Sequence, residues 1–267
     1  MREKILTKRC RRALKNGDLE KAMELAKQLV EVYPNNFSSW HCLGEVYYSV
    51  GDTEKAFESF NKAKELASSK EELVNVYLYM GEILIDTDRL DDALMYFNRA
   101  LTLAEYVNKG VAYILSRIAD VYFRKGEFEE SLKYYDEAFK AGEAENADEE
   151  FMVGVINNLS VVLTKLGYYK DAIELLKDLL TLGTVSDNLF LTCISEINLG
   201  TVYLATGNKN AAKRYLKSAL NHAKKLGDRG LEAVAYMRLG KALNKKSYLE
   251  KAEELFRELE LDSTNLQ

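Results

Sequence analysis

Apolar side chains recur along this chain at helical spacing, in short blocks separated by polar turns. In one block Trp40, Leu43 and Tyr47 form an i, i+3, i+7 stripe, and Ala56, Phe60 and Ala63 form an i, i+4, i+7 stripe. Each stripe predicts an amphipathic helix with one face buried. Gly51-Asp52 lies between them, and glycine can end a helix at positive φ. The block therefore predicts a helical hairpin.

The hairpin pattern occurs seven times. Gly44, Gly81, Ala119, Ser160, Gly200 and Gly240 are followed twelve residues later by Ala56, Ala93, Ser131, Ala172, Ala212 and Ala252, and a weaker first copy sets Cys10 against Ala22. A small residue at each of these positions is expected to face its partner where two helix backbones approach closely. Turns are predicted at Gly17-Asp18, Gly51-Asp52, Asp88-Arg89, Gly126-Glu127, Gly167-Tyr168, Gly207-Asn208 and Ser247-Tyr248. Counted from the first helix of each copy, the units start at 3, 37, 74, 112, 153, 193 and 233, so the offset grows from 34 to about 40 residues. The added residues amount to one or two turns and are expected to lengthen helices rather than add domains.

The phrase Trp40-x-x-Leu43-Gly44-x-x-Tyr47, Gly51-Asp52, Ala56-x-x-x-Phe60-x-x-Ala63, with Pro34 near the end of the first copy, resembles the tetratricopeptide repeat pattern. The resemblance covers nearly the whole chain. It implies an all-α fold, a right-handed superhelical solenoid of antiparallel helix pairs forming one domain over residues 1–267. The repeat units would be 3–36, 37–70, 74–107, 112–145, 153–186, 193–226 and 233–266. It also implies that the first helix of each unit lines a concave groove through its positions 2, 5, 6, 9, 12 and 13.

Under that resemblance the groove begins basic with Lys4, Lys8, Arg11 and Lys15, turns acidic with Glu45, Glu82, Asp86 and Asp120, and becomes rich in amides in the fifth and sixth units. Asn158 and Asn198 fall at equivalent sixth positions, Asn157 and Thr201 lie beside them, and Arg117 and Arg238 hold position 6 in the flanking units. Asparagine offers a donor and an acceptor together, so these amides suit the exposed backbone of an extended peptide, with arginine forks ready for carboxylates at either side. The residues expected to contact a peptide are Arg117, Arg124, Asn157, Asn158, Asn198, Thr201, Arg238 and Lys241. The competing reading is that they solvate the groove or bond neighbouring helices to one another. The carboxylate clamp of chaperone-binding tetratricopeptide domains is absent, because no three consecutive units carry its lysine, asparagine and arginine positions.

Composition and charge narrow the function classes. The chain has 267 residues, 47% apolar and 30% charged, with a net charge of −5. Seven basic residues stand against Glu3 alone in the first fifteen, so the remaining body is strongly acidic. That balance disfavours nucleic acid, and the acidic groove residues interrupt the basic stripe that an RNA-binding helical repeat needs. No apolar run reaches the roughly 18 residues that span a bilayer, and the first residues lack a secretory signal pattern, so a cytoplasmic, soluble protein is expected. Cys10, Cys42 and Cys193 have no metal-like spacing and are expected as reduced thiols.

Catalytic chemistry finds no foothold. His41 and His222 stand far apart, and there is no His-Glu-x-x-His, no Cys-x-x-Cys and no phosphate-cradling glycine loop. The expectation is a non-catalytic scaffold or adaptor with no cofactor or metal, binding a protein or peptide partner that the arginine forks would prefer acidic. Acidic runs have local explanations: Ser69 to Glu72 has capping-box spacing, and Asp148, Glu149 and Glu150 suit a helix N-terminus, although with Glu143 and Glu145 they would also attract a basic partner. After Leu255, Phe256 and Leu259 no further helix follows, which gives an alternative expectation: a regulatory or sensing module that docks, or pairs with its own copy, through the C-terminal hairpin. Phe256 itself sits at a core position of the pattern.

Overall fold

A computed structural model describes residues 2–259 as fourteen α-helices, with no strand among the described residues. They are α1 (Arg2–Lys15), α2 (Leu19–Val32), α3 (Phe37–Ser49), α4 (Thr53–Leu66), α5 (Lys70–Asp86), α6 (Leu90–Val107), α7 (Val111–Lys125), α8 (Phe128–Glu145), α9 (Glu149–Leu166), α10 (Tyr169–Val185), α11 (Leu189–Ala205), α12 (Lys209–Leu226), α13 (Arg229–Leu243) and α14 (Lys246–Glu258). Each odd-numbered helix packs against the even-numbered helix after it, which is the hairpin the periodicity predicts. The chain divides at Ala147 and Asp148 into two compact units, one holding α1 to α8 and the other α9 to α14. The end of the expected seventh repeat, 260–266, lies outside the described residues.

The longer repeats do lengthen their helices. The first four helices have 13 or 14 residues, whereas α5, α6 and α8 to α12 have 17 or 18. Polar caps fix where the helices start: Asp18, Asp52, Asp148, Asn188, Asn208 and Asp228 each accept a hydrogen bond from a backbone N–H of the first turn. Ser69 caps α5 through the Glu72 N–H, but the returning Glu72 carboxylate bonds the N–H and hydroxyl of Ser68, one residue earlier than a standard capping box. Glu145 accepts from the N–H groups of Val111 and Ala112, so α8 caps α7. The acid at 145 thus has a structural role.

Three expectations need correction. Gly44, Gly81 and Gly200 are indeed closely packed, but the atoms nearest to each belong to the side chain sixteen residues on rather than to the alanine twelve on. A Cβ built on Gly44 would meet the Phe60 ring at 2.9 Å, and one on Gly81 would meet Phe97 at 2.5 Å. The twelve-residue partner does touch the same turn, since the Ser131 hydroxyl donates to the Ala119 carbonyl at 2.9 Å. In the last hairpin the turn falls earlier than Ser247-Tyr248: Asn244 takes the left-handed conformation at φ 50, and both expected turn residues lie inside α14. With α14 begun early, Leu249 rather than Phe256 packs over Gly240.

The third correction concerns sulfur. Cys10 and Cys42 form a disulfide that ties α1 to α3, leaving Cys193 as a buried free thiol. Both bonded cysteines are fully buried in one apolar cluster with Leu6, Ala22, Leu25 and Val46. A helix-face pattern assigns both to packing, but it does not reveal that the two faces meet.

Candidate functional site

In the first unit, the polar faces of α1, α3, α5 and α7 form one connected set of carboxylates, tyrosines and arginines. Glu45 on α3 accepts from the Arg11 guanidinium at 3.4 Å and from the Tyr79 hydroxyl at 3.2 Å, while His41 Nδ1 lies 3.5 Å away. Burial pushes the Glu45 carboxyl up, but His41, Arg11 and Tyr79 together outweigh it and hold the pKa below 4.5. The His41 ring is enclosed by Phe37, Phe60 and Tyr79, with centroids 5.2 to 5.4 Å away. Tyr48 donates to Asp86 at 2.9 Å, bridging α3 and α5.

Arg117 sits between two acids. Its guanidinium lies 2.8 Å from Glu82 on α5 and 2.6 Å from Asp120 on its own helix, and the three side chains are 28%, 15% and 22% exposed. Tyr113 also donates to Glu82, and the Tyr135 hydroxyl of α8 donates to Asp120. Burial raises both carboxyl pKa values, and Arg117 offsets only part of the rise. A cavity of about 410 Å³ opens here, between Tyr48, Tyr79, Glu82, Tyr113 and Arg117. Arg124 instead donates to the Ile85 carbonyl at 2.9 Å, across α7 and α5.

In the second unit the expected amides do come together. Asn198 on α11 donates to the Asn157 side-chain oxygen on α9 at 2.6 Å, so Asn157, not Asn158, is its direct neighbour. Asn158 lies half-buried one residue along. Thr201 donates to its own helix at the Ile197 carbonyl, Arg238 is half-buried on α13 with its pKa lowered by burial, and Lys241 is exposed. The expected set therefore falls into two groups, Arg117 and Arg124 in the first unit and the other six residues in the second.

Two features escaped the sequence reading. Glu196, 6% exposed, bonds His222 Nδ1 at 2.8 Å between α11 and α12, although 26 residues separate them. A groove of about 680 Å³ also opens between α9 and α11, with Glu149, Gly154 and Asn157 on one side and Phe190 and Ile194 on the other. Its one sequence signal is Gly154, a glycine inside a strongly helical stretch. Phe256 is 2% exposed and packs with Ala233, Met237, Ala252 and Leu255, which places it in the core of the last hairpin. Among the described residues, no group of three or more His, Cys, Asp or Glu side chains is arranged to hold a metal, and no helix is long and apolar enough to cross a membrane.

Comparison with known proteins agrees with the repeat pattern. A family model described as tetratricopeptide repeat matches residues 35–106, 110–184 and 151–225, more than half of the chain. A model of a family of unknown function matches 2–67, and a PPR repeat model matches 234–263. The chain is 32% identical over 130 residues to the CTR9 homolog of Arabidopsis thaliana, covering 48% of this chain and 12% of that one. It is 24% identical over 229 residues to the kinesin light chain-related protein 3 of the same plant, covering 81% of this chain and 35% of that one. It thus spans well under half the length of either relative. Among solved structures, the apo form of RapI superimposes with a TM-score of 0.73 at 16% identity, over 97% of this chain and 75% of that one. At that identity the likeness concerns the fold alone.

Proposed function

The chain belongs to the tetratricopeptide repeat family, and from that premise we propose that it is a non-catalytic interaction module that binds an extended segment of a partner protein along the odd-numbered helices of its second unit. Family membership supports a protein-protein interaction scaffold; the peptide-binding surface is our reading of the side chains. The observation that carries it is the Asn198 to Asn157 amide pair, which brings α9 and α11 together through groups that match a peptide backbone in both donors and acceptors. Asn158, Thr201, Arg238 and Lys241 extend that surface within the second unit, and each is half-buried or exposed. Arg117 and Arg124 serve the first unit's own face, where Arg117 is already neutralised by Glu82 and Asp120. An acidic segment at that first-unit face would have to compete with two carboxylates 2.6 to 2.8 Å away.

The test is affinity capture from native lysate with the wild-type chain and with the Asn158→Ala, Asn198→Ala double variant, followed by titration of each captured protein. A partner held equally by both would refute the amide surface.

A further inference from the structure

We propose that the groove between α9 and α11 is a docking subsite for a protein segment that carries one large apolar side chain flanked by lysine or arginine. This deepens, and rests on, the reading of the second unit's odd helices as a peptide-binding face. Three observations meet at the groove.

Its walls are mostly apolar. Val153, Leu191 and Ile194 line it, and Phe190 stands at its edge 50% exposed. Val185, one residue before the lining Ser186, is 82% exposed. Isolated exposed apolar residues are ordinary, but two large ones at an open apolar groove mark an interaction surface. At about 680 Å³ the groove admits more than one side chain.

Its rim is acidic. Glu149 and Glu150 line the groove, and among the described residues no lysine or arginine does. The N-terminus of α9 is already capped by Asp148, which accepts from the Phe151 N–H at 2.8 Å, so the two glutamates are not needed to close the helix. Carboxylates beside an apolar floor select a cationic neighbour for the apolar anchor and repel phosphate.

Gly154 is the third observation. Glycine inside a helix costs stability relative to alanine, and at Gly44, Gly81 and Gly200 close packing against Phe60, Phe97 and Leu216 accounts for it. At Gly154 nothing among the described residues lies within 4 Å of an added Cβ, and the residue lines the groove. No internal contact requires this glycine. Its missing side chain leaves the groove open to the close approach of a partner.

The experiment is selection of a random dodecapeptide library displayed on phage, followed by titration of the strongest synthetic peptide. The proteins are the wild-type chain, Gly154→Phe, the Glu149→Lys, Glu150→Lys double variant and the Asn158→Ala, Asn198→Ala double variant. Wild type should enrich peptides with an aromatic or large aliphatic residue next to Lys or Arg. The peptide should lose about tenfold or more in affinity with Gly154→Phe and with the charge reversal, the latter becoming less salt-dependent. Gly154→Ala is the folding control, since it should raise Tm while still weakening the peptide. Enrichment without that signature, recovery of no peptide, or equal affinity for wild type and Gly154→Phe would overturn the subsite. A peptide weakened by the asparagine changes but not by Gly154→Phe leaves the peptide-binding face standing and removes the subsite; the opposite pattern keeps the subsite and removes the amide surface.

Discussion

Leu216 occupies the space in front of Gly200: a Cβ added to Gly200 would lie 2.5 Å from the Leu216 Cγ and 2.7 Å from its Cδ2. Leu216 is fully buried on α12 in a cluster with Cys193, Ala212 and Leu239, so it has no free direction in which to withdraw. Gly200→Ala should therefore strain the α11 and α12 crossing and cost about 1 to 3 kcal/mol, despite alanine's better helix propensity. Urea denaturation should give a lower midpoint with an unchanged slope. Pairing it with Leu216→Ala should be less costly than the two single changes added together, because the second change removes the collision.

The same residue pair marks how much could be read beforehand. The twelve-residue spacing between small residues was legible because both helices repeat it, and it located every hairpin, though not the turn of the last one. Which side chain fills the gap depends on how the two helices rotate about their axes, and that rotation places Phe60, Phe97 and Leu216, one helical turn beyond the alanine, over the glycine. The turn at Asn244 escaped for a related reason: asparagine reaches the left-handed region less often than glycine, and the repeat template pointed three residues later. On the candidate site, the amides of α9 and α11 were legible by position, but their register was not, since α9 and α11 pair Asn198 with Asn157 at a separation of 41. The acidic partners of Arg117 were individually visible as groove residues. Their convergence on one guanidinium needed coordinates.

Sulfur chemistry offers a direct check on the first unit. With Cys10 and Cys42 bonded and Cys193 free, thiol titration of the denatured chain prepared without reductant should find one thiol, and the reduced chain three. The bond spans 32 residues, so its loss should lower stability by about 3 to 4 kcal/mol on the chain-entropy account. Alkylation of native protein should spare Cys193, whose thiol pKa is pushed up to about 12 by burial first and by Glu196 and Asp228 next. Three thiols without reductant would remove the bond.

Acid should affect neighbouring carboxylates of the first unit in opposite ways. Glu82 and Asp120 have raised pKa values in the fold, so the native state binds protons more readily there than the unfolded chain, and these groups favour the fold more as pH falls. Glu45 is lowered, so its contribution is present above 4.5 and is lost as pH falls through its depressed folded value. Arg117→Met removes the cation between Glu82 and Asp120 and should destabilise the chain by about 2 to 4 kcal/mol near neutrality, somewhat less than for a fully buried pair. That deficit should shrink steadily as pH is lowered through the acid range, because protonation relieves the two stranded carboxylates. A deficit independent of pH would mean that Arg117 contributes packing rather than charge.

The asparagine surface separates stability from binding. Asn198→Ala breaks the 2.6 Å bond to Asn157 between α9 and α11, and since both side chains are only half-buried, water can replace the lost partner; the expected cost is about 0.5 to 1.5 kcal/mol. If that bond merely braces the two helices, a captured partner should bind the folded variant as tightly as wild type, and Asn158→Ala should do nothing. If the amides instead grip a peptide backbone, each truncation leaves a peptide N–H or carbonyl unpaired in the complex, and the double variant should weaken binding by about 2 kcal/mol or more. Calorimetric titration at a temperature where both proteins are fully folded separates the cases, because bracing alters the melting curve alone. A loss of affinity that vanishes once the variant is refolded or cooled would assign the pair to bracing.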